Sequence, residues 1–162
     1  MKPWYNVFMK RIIVISDSHG NKTDINRIFD EFQFDYLIHL GDGIDDLGVY
    51  KYDERVKFVR GNCDFFSNEK LESFLVVENT TLFFTHGHEY GVKYTLNRLY
   101  DRIKDINVNL VLFGHTHKYS MTNINEITFL NPGSLSHSRN SNLSFCTIDI
   151  DGSNFSIEKH SF

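Results

Sequence analysis

Five short apolar runs of this chain end in the same way. "RIIVIS" (11–16) leads into "DSHG", "DYLIHL" (35–40) into "GDG", and "VKFVR" (56–60) into "GNCD". "TLFFT" (81–85) leads into "HGHE" and "NLVLF" (109–113) into "GHTHK". Each run has the length and β-branched or aromatic content of a buried strand. Each ending sets a glycine beside side chains that bind metals: Asp17 and His19, Asp42, Asn62 with Cys63 and Asp64, His86 and His88, His115 and His117. In open α/β sheets, sites form outside the carboxyl ends of the strands. Glycine there lets the backbone turn sharply and approach a ligand closely. The fold must therefore bring five strand ends to one place.

The rest of the pattern agrees with an α/β chain. Ile25, Ile28, Phe29 and Phe32 form one apolar stripe and predict a helix over 24–33. Val92, Leu96, Leu99, Tyr100 and Ile103 predict a longer helix over 92–106. "FLVVE" and "TLFFT" read as a hairpin. After residue 113 the pattern is all strand, with Asp151-Gly152 a hairpin turn. Strand–helix alternation followed by strands predicts an α/β sandwich of two sheets with outer helices. A length of 162 residues suits one domain. It is expected to run over 9–162, with residues 1–8 an N-terminal extension ahead of "MKRIIVISDSHG". Trp4, Tyr5 and Phe8 in that extension are open between an internal packing role and a homo-oligomer contact.

Charge narrows the function. A net charge of −4 and a pI near 6.0 argue against an extended basic surface for long nucleic acids. A small phosphate substrate stays open. No apolar run is long enough to span a membrane, and residues 1–10 lack a secretory signal pattern. Cys63 and Cys146 form no CxxC pair, so a reducing cytoplasm is the expected location.

In an extended segment, residues two apart face the same way. Asp17 with His19, and His115 with His117, are each expected to converge on one point. Carboxylate, imidazole and amide donors suit Mn²⁺, Fe or Zn²⁺ better than Mg²⁺ or Ca²⁺. One ion takes about four protein ligands; the set offers seven, which two ions sharing a carboxylate would use. Other polar residues read differently. His39, inside "LIHL", is expected to be a hydrogen-bonded core residue or a support for the ligands. Asp45 and Asp46 read as a solvated helix start, and His160 as part of a polar tail. His137 and Arg139 in "HSRN" are either a surface loop or a phosphate contact.

The order DxH, GD, GNxD, HGH, GHTH, with "NPGS" at 131–134, resembles the calcineurin-like metallophosphoesterase superfamily. Within it the chain looks most like the short YfcE-type phosphodiesterases. The resemblance covers nearly all of the chain from Met9. It implies a four-layer α/β/β/α sandwich of two mixed sheets flanked by helices. It also implies a dinuclear centre supplied with Mn²⁺, with Ni²⁺, Co²⁺, Fe²⁺ or Zn²⁺ as alternatives. Carried onto matching positions, Asp17, His19, Asp42 and His117 hold one ion. Asp42, Asn62, His86 and His115 hold the other, with Asp42 as the bridge. The implied reaction is hydrolysis of small phosphodiesters or nucleotide-like substrates by in-line attack of a metal-bound hydroxide. Asp42, Asn62, Cys63 and His88 are the catalytic candidates, and Asn62 and Arg139 the substrate-binding ones. One departure stands out: where much of the superfamily has a histidine that protonates the leaving group, this chain has Cys63. His88 is then an alternative donor, with a structural role equally open. Two other functions are carried: a phosphomonoesterase or nucleotide phosphatase on the same site, and a non-catalytic scaffold like the phosphoesterase-like retromer subunit. That subunit has lost part of the site, whereas all seven ligand positions match here.

Overall fold

The computed structural model describes residues 9–136 and 142–162. Among them ten strands build two five-stranded mixed sheets. The strands are β1 (Lys10–Ile15), β2 (Tyr36–His39), β3 (Val56–Phe58), β4 (Glu72–Val77) and β5 (Thr80–Thr85). They continue with β6 (Leu110–Leu112), β7 (Tyr119–Ile124), β8 (Ile127–Pro132), β9 (Ser144–Asp151) and β10 (Asn154–Ser161). One sheet has the order β10-β9-β1-β2-β3 and the other β4-β5-β6-β8-β7. β1, β2 and β3 run parallel, as do β5, β6 and β8. These six are the strands whose ends carry the polar motifs and "NPGS".

Three apolar layers hold the sandwich together. Ile12, Val14, Ile38 and Leu40 meet Leu82, Phe84, Leu110 and Leu112 between the sheets. Alternate residues face outward: Ile13, Ile15 and Leu37 pack on Ile25 and Ile28 of α1 (Lys22–Glu31). Phe83, Val111 and Phe129 pack on Leu99 and Ile103 of α2 (Asn97–Ile103). The order helix, sheet, sheet, helix is the four-layer sandwich that the motifs imply. No helix among the described residues is long and apolar enough to cross a membrane.

Local chemistry sets the element ends. The Asn21 side chain caps α1 by accepting from the Asp24 N–H and ties it to the core by donating to the Leu135 carbonyl at 2.7 Å. α2 is shorter than the apolar stripe predicts. Val92 is buried, but the chain there turns, with Gly91 at φ 63° and Tyr94 N–H bonded to the Gly91 carbonyl. The Thr95 hydroxyl then accepts from the Asn97 N–H, offering the backbone a local bond in place of a helical one. Gly152 turns the β9–β10 hairpin at φ 64°, as its sequence indicates. His160 is not in a loose tail: it lies in β10, stacked on Phe145 and paired with the Thr147 hydroxyl at 2.9 Å.

Candidate metal centre

Six polar side chains from four strand ends and two sheets meet at one edge of the sandwich. Asp17, His19 and His117 bring ligand atoms within 4.8 Å of one another, and so do Asp42, His86 and His115. Asn62 joins the second group, with its Oδ1 3.1 Å from His86 Nε2. All seven expected ligands are therefore assembled. They are not assembled by the extended geometry expected for them. Asp17, His19, Asp42, His115 and His117 have φ of 52°, 41°, 59°, 67° and 60°. Tight turns after the strands, not a pleat, aim these side chains. His115 and His117 consequently part, one to each group, while Asp17 and His19 stay together.

Two groups of atoms show that the donors fit divalent ions. Asp17 is fully buried, and its Oδ2 accepts from the Ser16 hydroxyl at 2.5 Å and the His115 N–H at 3.0 Å. Its Oδ1 is buried with no hydrogen-bond partner, 3.1 Å from His117 Nε2 and 3.8 Å from His19 Nε2. The second group centres on His86. Its Nδ1–H donates to the Leu40 carbonyl at 2.8 Å, which turns Nε2 into the site. Nε2 there faces Asn62 Oδ1, His115 Nδ1 at 3.2 Å and Asp42 Oδ2 at 3.3 Å. A proton on Nε2 can serve only one of these acceptors. A cation with bonds near 2.1 Å serves all of them, because adjacent ligands around it lie about 3 Å apart.

Electrostatics follow from this crowding. Burial opposes ionisation of Asp17, yet His117 and His19 hold its carboxyl far below the usual range. Asp42, likewise opposed by burial and favoured by His86, is held at about 2. Burial lowers His86, but Asp42 and Asp17 more than offset it and push its pKa up. Burial and the neighbouring His86 push His115 down to about 4. In acid the same imidazoles bind protons in place of metal.

The supports are polar and mostly unforeseen. Asp64 accepts from the backbone N–H groups of Asp42, Gly43, Ile44 and Gly61, at 2.7–3.1 Å. It thereby locks the loops after β2 and β3 together. Its place in "GNCD", two residues after Asn62, is the signal that could have shown this. Asp42 Oδ1 accepts from the Cys63 N–H at 2.7 Å. A Cβ on Gly61 would fall on that carboxylate, so only glycine fits there. Asp46 is not merely a solvated helix start: its Oδ2 accepts from the Ser18 hydroxyl and the Gly20 N–H, both at 2.7 Å. Asp45 is exposed and paired with Lys51. His39 is a support, as expected. Its Nδ1 accepts from the Gly41 N–H, its Nε2 faces the Ser18 hydroxyl, and burial pushes its pKa down to about 4. "NPGS" is buried and braces the centre. Asn131 donates to the Gly114 carbonyl and Ser134 to the Asp17 carbonyl, both at 2.9 Å.

The catalytic candidates differ in position. Cys63 is exposed beside His19 and Asp42, and burial together with Asp42 raises its thiol pKa. His88 lies with its ring 5.4 Å from His86 and 6.1 Å from His115, and its Nδ1 is buried without a partner. Burial and His86 lower its pKa. His137, Arg139, Trp4, Tyr5 and Phe8 lie outside the described residues.

Comparison with known proteins bears on this arrangement. The family model for the calcineurin-like phosphoesterase superfamily domain matches residues 9–153. The Bacillus subtilis (strain 168) protein named probable metallophosphoesterase YsnB is 33% identical over 127 residues, covering 76% of this chain and 74% of YsnB. Phosphodiesterase YfcE of Escherichia coli (strain K12) is 29% identical over 156 residues, covering 79% of this chain and 80% of YfcE. A crystal structure of a conserved uncharacterized protein, a predicted phosphoesterase from Streptococcus pneumoniae TIGR4, superposes with a TM-score of 0.81 at 26% identity, covering 94% of this chain and 90% of that one. Vps29 of Entamoeba histolytica shares the fold, with a TM-score of 0.73 at 20% identity, covering 94% of this chain and 99% of that one.

Proposed function

The chain belongs to the calcineurin-like phosphoesterase superfamily, and from that footing we propose that it is a phosphodiesterase with a two-ion centre, acting on small or nucleotide-like diesters. One observation carries the two-ion reading. Asp42 Oδ2 lies 3.3 Å from His86 Nε2 and 3.7 Å from His19 Nε2, so one carboxylate faces a ligand of each group. Asp17, His19, Asp42 and His117 would hold one ion, and Asp42, Asn62, His86 and His115 the other. Mixed oxygen and nitrogen donors without thiolate suit manganese. Bound there, divalent ions polarise a phosphoryl oxygen and make water a nucleophile near neutral pH.

The chain's own residues supply the rest. Asp17 and Asp42 provide only two negative charges, so the loaded centre stays positive and draws a phosphate anion. The Leu40 carbonyl fixes His86, Asp64 fixes the Asp42 loop, and Ser16 and the His115 N–H fix Asp17, so the donors are set before ligand arrives. Both cysteines are free, which suits a reducing cytoplasm. The test is hydrolysis of bis(p-nitrophenyl) phosphate by the chelator-stripped chain and by the same chain refilled with Mn²⁺. Stripping should reduce the rate by roughly a hundredfold or more, and refilling should restore it. A manganese-filled chain that turns over no phosphate ester would defeat the proposal.

A further inference from the structure

A cleft of about 300 Å³ opens beside the centre, and His19, Cys63, Phe65 and Phe66 are among the residues that line it. Phe65 is 78% exposed and Phe66 fully so. Neither makes a ring contact among the described residues, although two adjacent exposed phenylalanines are costly to display in water. They are also held in place. They are the central residues of a turn closed by the Ser67 N–H on the Asp64 carbonyl at 3.1 Å. That turn starts at the same Asp64 whose carboxylate is anchored by four backbone N–H groups. The loop that positions Asn62 and Asp42 thus also presents two aromatic faces to the cleft.

Resting on the phosphodiesterase reading, we propose that Phe65 and Phe66 are specificity-determining residues that stack a neutral planar base of the substrate while its phosphate sits at the centre. The cleft's charge favours such a group. Its other polar lining includes Asp45, Asp46 and Asp64, and among the described residues no lysine or arginine lines it. A second phosphate would meet the negative charge of these carboxylates, whereas a neutral base does not and offers its ring to the phenylalanines. A volume of about 300 Å³ leaves room for one ring system. Stacking a base on an aromatic side chain changes affinity by roughly tenfold or more, with little dependence on which base it is. The selected substrates are therefore diesters with a nucleoside or aryl arm, over diesters of simple alkyl alcohols.

The test is calorimetric titration of AMP and of ribose 5-phosphate into the manganese-loaded chain and into Phe65→Ser/Phe66→Ser. The two probes share the phosphate and sugar and differ in the base. The parent chain should bind AMP at least roughly tenfold more tightly. The double variant should lose most of that difference, and Phe65→Tyr/Phe66→Tyr should keep it. Should the double variant fail to fold, Phe66→Ser alone changes a fully exposed side chain and should lose part of the difference. Equal binding of the two probes by the parent chain overturns the proposal. So does an unchanged difference in the serine variants, including the case where they break a dimer that covers these rings. A chain that hydrolyses no diester but shows the base-dependent difference defeats the proposed reaction and leaves the platform standing. A chain that hydrolyses diesters without the difference defeats the platform alone.

Discussion

At five of the seven candidate ligand positions the backbone sits in the left-handed region, which residues other than glycine, asparagine and aspartate seldom adopt. For the three histidines among them this costs of order 1–2 kcal/mol each, and the hydrogen bonds behind them hold them there. His39, a fully buried support, gives a pH prediction. Its folded pKa, about 4, lies below the ordinary 6.5. Its neutral form is thus favoured by folding: the stabilisation is complete above 6.5 and is lost as pH falls from 6.5 towards 4. Urea unfolding in chelator should show the stability advantage of the parent chain over His39→Gln shrinking across that window; an advantage that grows in acid would contradict the assignment. Cys63 and His88 give a second prediction. A thiol raised by burial and Asp42 is a poor proton donor, and a lowered His88 is largely neutral near pH 7. Diester hydrolysis should therefore depend steeply on the leaving group's pKa, fast for aryl and slow for alkyl alcohols. Cys63→Ala should stay within about threefold of the parent, far below the 10²–10⁴-fold effect of a true general acid. A shallow dependence that steepens in His88→Ala or in Cys63→Ala would identify that residue as the acid instead.

At the scale of elements, the centre is built from loops that are tied to one another, and Asp64 is the main tie. Asp64→Ala would leave four backbone N–H groups without their carboxylate. The expected loss is about 2–4 kcal/mol in urea unfolding of the metal-free chain, together with weaker metal binding. A loss under about 0.5 kcal/mol would show that water replaces the clamp. The strands and the ligand types were legible in the sequence because apolar runs, glycines and histidines are local signals. The packing of β1 on both faces was legible for the same reason: Ile12 and Val14 face one way along it, Ile13 and Ile15 the other. What was not legible depends on contacts distant in sequence or on backbone angle. The helix expected over 92–106 is shorter in the structure because a Gly91 turn and the Thr95 hydroxyl compete with helix at its start. The two 3₁₀ turns within Ile44–Tyr52, parted by a kink at Gly48, have no apolar period to announce them. Asp46 was read as solvated because its partners, Ser18 and Gly20, lie on another loop. The sharing of His115 and His117 between two groups came from family likeness, since strand periodicity alone sends both to one point.

At the scale of the molecule, two parallel-stranded halves of two sheets aim their carboxyl ends at one edge, and each sheet brings its own ligands. Asp17, His19, Asp42 and Asn62 come from the loops after β1, β2 and β3; His86, His115 and His117 come from those after β5 and β6. Metal binding should therefore cross-link the sheets and stabilise the whole sandwich by mass action. The central claim is that the assembled donors make two sites joined by Asp42. It is tested most directly by elemental analysis of the chelator-stripped chain refilled with manganese, beside Asp42→Ala treated in the same way. The account predicts two manganese ions per chain at saturation, and clear loss from both sites in the variant. Saturation at one ion per chain, or a variant that still binds two as tightly, would contradict it.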